Sequence, residues 1–131
     1  MTRASAYRRI LLKLSGEALM GSDAFGINCP VLGRIVGEIR EAAATGVQIG
    51  LVVGGGNYFR GASADEMNRA TADTIGMCAT IMNALTLREA LERAGTPAVV
   101  QSALPIGGEA ELWSRPAALA HLAAGRIVVF G

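Results

Sequence analysis

A run of apolar residues that stops at three consecutive glycines, QIGLVVGGGNYFRG over residues 48–61, constrains this chain more than any other stretch. Leu51, Val52 and Val53 read as the end of a buried strand, and Gly54, Gly55 and Gly56 as a bare backbone loop. Lacking a Cβ, these glycines can take positive φ and let their N–H groups approach a ligand to hydrogen-bond distance, as an anion requires. Arg60, just beyond them, adds a planar fork of donors suited to phosphate oxygens. A tight turn is the alternative use of such glycines, but the strand before them and the arginine after them favour an anion site.

Composition narrows the partners. The chain has 131 residues, 51% of them hydrophobic, so one domain burying roughly two-thirds of its unfolded surface is expected. A formal net charge of +1 with no block of like charges argues against nucleic-acid binding and against docking on an acidic membrane, so charge recognition must be local. Cys29 and Cys78 have neither CxxC nor Cys/His spacing and read as small, buried, reduced thiols of a cytoplasmic protein. No apolar run reaches the roughly 18 residues of a membrane span, and the start lacks the apolar region of a signal peptide.

Arg9-Ile10-Leu11-Leu12-Lys13-Leu14, closed by Ser15-Gly16, predicts a first strand. A lysine inside a buried strand is expensive unless its amine emerges at the strand's end or meets a partner, so Lys13 is expected to reach into a site; snorkelling from an edge strand is the alternative. Residues 17–20 predict a helical turn, and Gly21, Ser22, Asp23, Ala24, Phe25 and Gly26 a loop. Pro30 suits the start of a helix whose Leu32, Ile35, Val36, Ile39 and Ala43 share one face, and Gly46 suits its end. Residues 47–53 then form a nearly continuous apolar strand of the kind covered on both sides.

A long pattern from about residue 67 to 93, closed by Gly95 and Pro97, predicts a helix with an unusual first half. Asp73, Gly76, Met77, Thr80, Asn83 and Ala84 make one stripe of acid, glycine, hydroxyl and amide where a core helix carries Leu or Ile. Small residues let such a helix lie against another backbone, and Asp73 can accept hydrogen bonds from a ligand's hydroxyls; a solvated carboxylate favoured by the helix dipole is the alternative. For Thr80 and Asn83 the alternative is helix–helix packing, at a subunit contact for instance. Residues 98–102 predict a third strand and 102–115 a loop in which Trp113 covers the core edge. Pro116 marks the start of a helix ending at Gly125, and residues 126–130 a fourth strand. His121 has no second His or Cys at ligand spacing and reads as a surface or packing histidine rather than a metal ligand.

Four strands alternating with helices give a parallel α/β sheet with right-handed crossovers, in which ligands sit at the carboxyl ends of the strands. Lys13, Ser15, Gly16 and the glycine loop all fall there. A fourth strand that stops at Gly131, where its own loop is due, leads to the expectation that residues 1–131 are the amino-terminal part of a longer domain. The common phosphate motifs do not account for the pattern: no Gly-Lys-Ser/Thr occurs for a P-loop, and Phe59 stands where the last glycine of GxGxxG belongs.

A lysine after the first strand and glycines after the second resemble the bacterial uridylate (UMP) kinases of the amino-acid-kinase superfamily. RRILLKLSGEAL from Arg8, VVGGGNYFRG from Val52 and ADTIGMCATIMNALTLREAL from Ala72 carry the likeness, the third being the most specific. The resemblance implies a three-layer αβα sandwich with a mainly parallel central sheet, of which residues 1–131 are the amino-terminal, UMP-binding part. The carboxy-terminal ATP-binding part, with its UMP-phosphate loop and adenine pocket, would lie beyond Gly131. The resemblance further implies that Lys13, Leu14, Ser15, Gly16, Gly56 and Arg60 border ATP, that Gly55 contacts UMP, and that Asp73 holds the UMP ribose hydroxyls. Gly21, Ser22, Asp23, Ala24, Phe25 and Gly26 resemble the GTP effector region of members that GTP activates. A UTP inhibitor, a homohexamer and a place in pyrimidine nucleotide biosynthesis are implied by the resemblance alone. The segment after Gly61 looks shortened, and GGEAELW, residues 107–113, departs from the family pattern.

The implied reaction is the reversible transfer of the ATP γ-phosphate to UMP, giving UDP and ADP. The UMP phosphate is already an anionic nucleophile, so catalysis reduces to aligning donor and acceptor and neutralising charge, with Lys13 and Arg60 as the catalytic cations. Magnesium is expected to arrive with ATP, because no carboxylate cluster in the sequence suggests a metal cage. Two other readings stay open in the sequence: an enzyme of the same fold that phosphorylates a carboxylate or carbamate, and a truncated nucleotide-binding module that is inactive alone. Removing one oriented donor typically costs about 3 kcal/mol of transition-state stabilisation, or roughly two orders of magnitude in rate. Arg60→Ala in a complete enzyme is expected to lower kcat by that factor; a loss under about threefold in steady-state assays would mean that Arg60 does not touch the reacting phosphates.

Overall fold

The structure, a computed structural model, describes residues 4–59 and 66–131. Arg60, the catalytic and ATP-binding cation expected from the sequence, and the segment after Gly61 that looks shortened lie outside the described residues.

In chain order the described elements are β1 (Arg9–Leu14), α1 (Gly16–Met20), α2 (Cys29–Ala43), β2 (Gln48–Val53), α3 (Arg69–Arg93), β3 (Ala98–Ser102), β4 (Glu111–Leu112), α4 (Arg115–Ala123) and β5 (Ile127–Phe130). Short polar side chains set the helix starts. Asn28, Asn68 and Ser114 cap α2, α3 and α4, each side-chain oxygen accepting from a backbone N–H of the first turn. Because Asn68 is the cap, α3 begins at Arg69 rather than near residue 67.

The strands form one five-stranded, fully parallel sheet in the order β1-β2-β5-β3-β4. Helices cover both faces, giving the three layers expected. Alternation along β5 shows how: Ile127 and Val129 join the core under α2 and α3, while Val128 packs with Ala118 and Leu122 of α4. Ile35, Val36 and Ile39 of α2 are buried, as their spacing predicts. Leu51, Leu87 and Leu91 are fully buried, each contributing about 1.5–3 kcal/mol of transfer free energy.

Several expectations change. The sheet has a fifth strand, β4, inside the stretch read as loop. It pairs only Gln101 with Glu111 and Ser102 with Leu112, and both of its residues are exposed, so no apolar run marks it. β1 is an edge strand rather than a buried one, with Arg9, Leu11 and Lys13 exposed in alternation with half-buried Ile10, Leu12 and Leu14. The short helix α4 leaves this edge open, so Leu11 is 66% exposed and Trp113 58% exposed. Trp113 therefore lines the rim of an apolar groove with Leu11 and Leu119 instead of sealing the core edge. Cys29 and Cys78 are free but exposed rather than buried: Cys29 opens α2, and Cys78 lies on the solvent side of α3.

Edge strand β4 is tied down through Glu111. Its Oε1 accepts from Gln101 Nε2 at 2.8 Å and meets His121 Nε2 at 2.8 Å, while Arg126 stands 3.4 Å from His121 Nδ1. The Gln101 hydrogen bond holds the Glu111 carboxyl below its ordinary value of 4.5 against the opposing effect of burial, and His121 adds to the lowering. A lowered folded-state pKa stabilises the fold above the unfolded value, and that stability is lost as pH falls through the folded one. Thermal unfolding of wild type and Glu111→Gln across an acid series is therefore expected to show a Tm gap that is full above pH 4.5 and closes on further acidification. A gap independent of pH would contradict the assignment.

Candidate functional site

β1 and β2 stay in register up to Leu14 opposite Val53, and Gly54 N–H then donates to Leu14 O at 2.9 Å. Two parallel strands thus end side by side and release their loops at one edge of the sheet, the place where such sheets bind ligands. The first leads through Ser15, whose hydroxyl caps α1 by accepting from Ala18 N at 3.2 Å. The second is the glycine run.

Gly54, Gly55 and Gly56 do not take the positive φ that the sequence suggests; that conformation occurs at Gly26 and other turns. What the run requires is room. A Cβ on Gly55 would stand 2.7 Å from Ala79 Cβ and 3.1 Å from Thr80 N, so α3 can pass this close only over bare backbone. A Cβ on Gly16 would stand 2.6 Å from both Gly56 N and Asn57 Oδ1. The small-residue stripe of α3 therefore faces the glycine loop, as its composition suggests.

Two buried amides hold the loop in place. Asn57 is 2% exposed and Asn83 0%. Asn57 Nδ2 donates to Asn83 Oδ1 at 3.1 Å and to Gly26 O at 3.0 Å; Asn83 Nδ2 donates to Asn57 Oδ1 at 2.7 Å and to Gly54 O at 2.7 Å. Asn83 thus packs against the loop of its own chain, not at a subunit contact. Asn57 went unread in the sequence, though a buried amide in a core helix such as Asn83 already demands a partner.

Two clefts meet at Gly56. One, of about 570 Å³, is walled by residues 13–17 on one side and by residues 52–54 and 56 on the other, so Lys13, Leu14, Ser15, Gly16 and Gly56 all border it. Lys13 is at once exposed on an edge strand and directed to this cleft. Glu17 lines it too, and its carboxylate lies so close to Gly56 that a side chain there would overlap it. The other, of about 540 Å³, joins Gly55 and Gly56 to Asp73, Gly76, Met77 and Thr80 of α3. Asp73 is exposed, and Thr80 Oγ1 donates to Met77 O at 2.7 Å.

Gly21, Ser22, Asp23, Ala24, Phe25 and Gly26 line neither cleft. They join the site indirectly: Gly26 N donates to Asn57 O at 2.9 Å, and the Phe25 ring meets Tyr58 edge-on at 5.5 Å. A separate cavity of about 350 Å³ bounded by Arg88, Val99 and Glu109 contains none of the expected residues. Among the described residues no group of three or more His, Cys, Asp or Glu could hold a metal ion, and no helix is long and apolar enough to cross a membrane.

Known proteins resemble this chain in sequence and in fold. Residues 8–131 match the profile of the amino acid kinase family. The uridylate kinase of Ectopseudomonas mendocina is 53% identical over 130 residues, which are 98% of this chain and 53% of that protein. The crystal structure of UMP kinase from Bacillus anthracis superposes with a TM-score of 0.91 at 39% identity, covering 98% of this chain and 53% of that one. UMP kinase from Ureaplasma parvum gives 0.87 at 30% identity, over 94% and 55% respectively. The chain therefore spans about half the length of the relatives it matches. A match over nearly all of its residues and a parallel sheet of the same plan mean that this chain belongs to the amino acid kinase family.

Proposed function

We propose that this chain supplies the UMP site and the ATP-phosphate cradle of a uridylate kinase, which reversibly transfers the γ-phosphate of ATP to UMP and yields UDP and ADP. The observation that carries the reading is the pair of clefts sharing Gly56, one lined by Lys13 and the other by Asp73. A phosphoryl donor and acceptor must meet end to end, and a backbone with no side chain is the thinnest wall that can stand between them. Lys13, Leu14, Ser15 and Gly16 would border the ATP phosphates, Gly55 would contact UMP, and Asp73 would accept hydrogen bonds from the ribose hydroxyls.

Charge decides what else is needed. Among the described residues the first cleft offers one cation, Lys13, and one carboxylate, Glu17, so their formal charges cancel. A triphosphate there needs further positive charge, which Arg60 and a magnesium ion entering on the phosphate oxygens of ATP would provide. The acceptor phosphate is itself the nucleophile, so the chain's residues bind, orient and neutralise without moving a proton.

Assembly of a homohexamer and a cytoplasmic role in pyrimidine nucleotide biosynthesis belong to the same proposal. Ile75 and Met82, exposed on α3, support association. GTP activation would act at the loop of Gly21 to Gly26, which the Gly26 to Asn57 hydrogen bonds connect to the glycine loop, and UTP would inhibit.

Calorimetry on the chain with UMP, acetylglutamate and carbamate tests the substrate class: binding of UMP alone is expected, and preference for either carboxylate-type ligand would overturn the reading. A hydrogen bond to a charged group is worth about 1.5–3 kcal/mol, roughly tenfold or more in affinity. Asp73→Asn is expected to weaken UMP by that factor and leave ATP unchanged, and Lys13→Ala to do the reverse. Loss of UMP binding in both variants would contradict the division of roles.

A further inference from the structure

The loop between the clefts depends on one side-chain pair that the chemistry above does not use. We propose that Asn57 and Asn83 are positioning residues, whose interlocked amides fix Gly55 and Gly56 between the clefts and so set binding on both sides at once.

Every amide donor of the pair is engaged: Asn57 bonds Asn83 and Gly26, and Asn83 bonds Asn57 and Gly54. Buried amides stripped of a partner are costly, so neither member can turn without the other. Asn83 also has no local reason to be where it is. It occupies a fully buried position of a helix whose neighbouring core residues are Ala79, Ala84 and Leu87, and Asn is a poorer helix former than Leu. Its reach explains it. Asn83 takes the carbonyl of Gly54, the residue whose N–H is already held by β1, so the first glycine is fixed at both ends of its peptide units. Gly55 and Gly56 then follow into the gap against Ala79 and Gly16, where there is no space to drift. Gly56 borders both clefts, so a shift of this wall widens one at the expense of the other.

The binding arm of the test rests on the nucleotide reading; a second arm does not. Calorimetry with UMP and with ATP is run on wild type, Asn83→Ser and Leu87→Ala. Leu87 is fully buried on the same helix and lines neither cleft, so its truncation lowers stability without touching the wall. At a temperature where circular dichroism shows all three folded, Asn83→Ser is expected to weaken both nucleotides roughly tenfold and Leu87→Ala less than about twofold. Equal losses in both variants, no loss in either, or a loss for one nucleotide alone would overturn the proposal. Should Asn83→Ser not fold, Asn57→Ser removes the same pair from the loop side and carries the same expectations. Hydrogen exchange of the nucleotide-free chain separates the two readings: a peptide covering residues 54–59 should exchange faster in Asn83→Ser and not in Leu87→Ala. Wild type that binds neither nucleotide would sink the proposed function, whereas unchanged exchange would sink the positioning role.

Discussion

The path of the glycine loop that parts the two clefts is set at Gly54, whose N–H is bonded to Leu14 O of β1 and whose carbonyl is bonded to Asn83 Nδ2 of α3. Parallel pairing brings β1 and β2 to the same edge, but pairing alone does not say where the chain goes next. The side-chain amide of Asn83 does. It draws the loop towards α3, and the loop can accept that path only because Gly55 presents nothing to Ala79. Strand register, a buried polar pair and three absent side chains thus act together on a few ångströms of backbone. A change at any one of them is felt on both walls.

Much of this was legible. The apolar run into Gly54 named the strand and its loop, the spacing of Ile35, Val36 and Ile39 named the buried face of α2, and the run of small residues in α3 announced a close approach. What was not legible came from features without a periodic signal. β4 is two exposed residues held by the side chains of Gln101 and His121, each ten positions from Glu111 and matching no helix or strand period. It lies within residues 107–113, GGEAELW, where the sequence suggests a departure from the family pattern. The exposed edge of β1 was hidden because Leu11 is apolar yet faces solvent, since α4 stops short of it. Positive φ at the glycine run was a wrong use of a right observation: glycines permit both unusual angles and close contact, and only the packing of α3 decides between them.

Asymmetry between the two faces follows from helix length. α3 runs 25 residues and, with α2, buries one side of the sheet, whereas α4 runs nine and packs on the other side against β5 and β2, with Val99 of β3 at its margin. Lys13 lies on the open edge and reaches the first cleft from there. The same geometry that exposes Leu11 therefore frees the lysine, and the apolar groove beside Trp113 is the other consequence of the uncovered edge. Within the cleft, Glu17 offsets Lys13, so on the proposed reading a phosphate would be held by backbone donors and added cations rather than by a surplus of fixed charge among the described residues.

Amide chemical-shift mapping of the chain with UMP and then with ATP tests most directly whether a bare glycine wall separates two nucleotide sites. UMP is expected to shift Gly55, Asp73, Gly76 and Thr80, ATP to shift Lys13, Ser15 and Gly16, and Gly56 to respond to both. Shifts from both nucleotides within one cleft, or a Gly56 amide that responds to neither, would contradict the account.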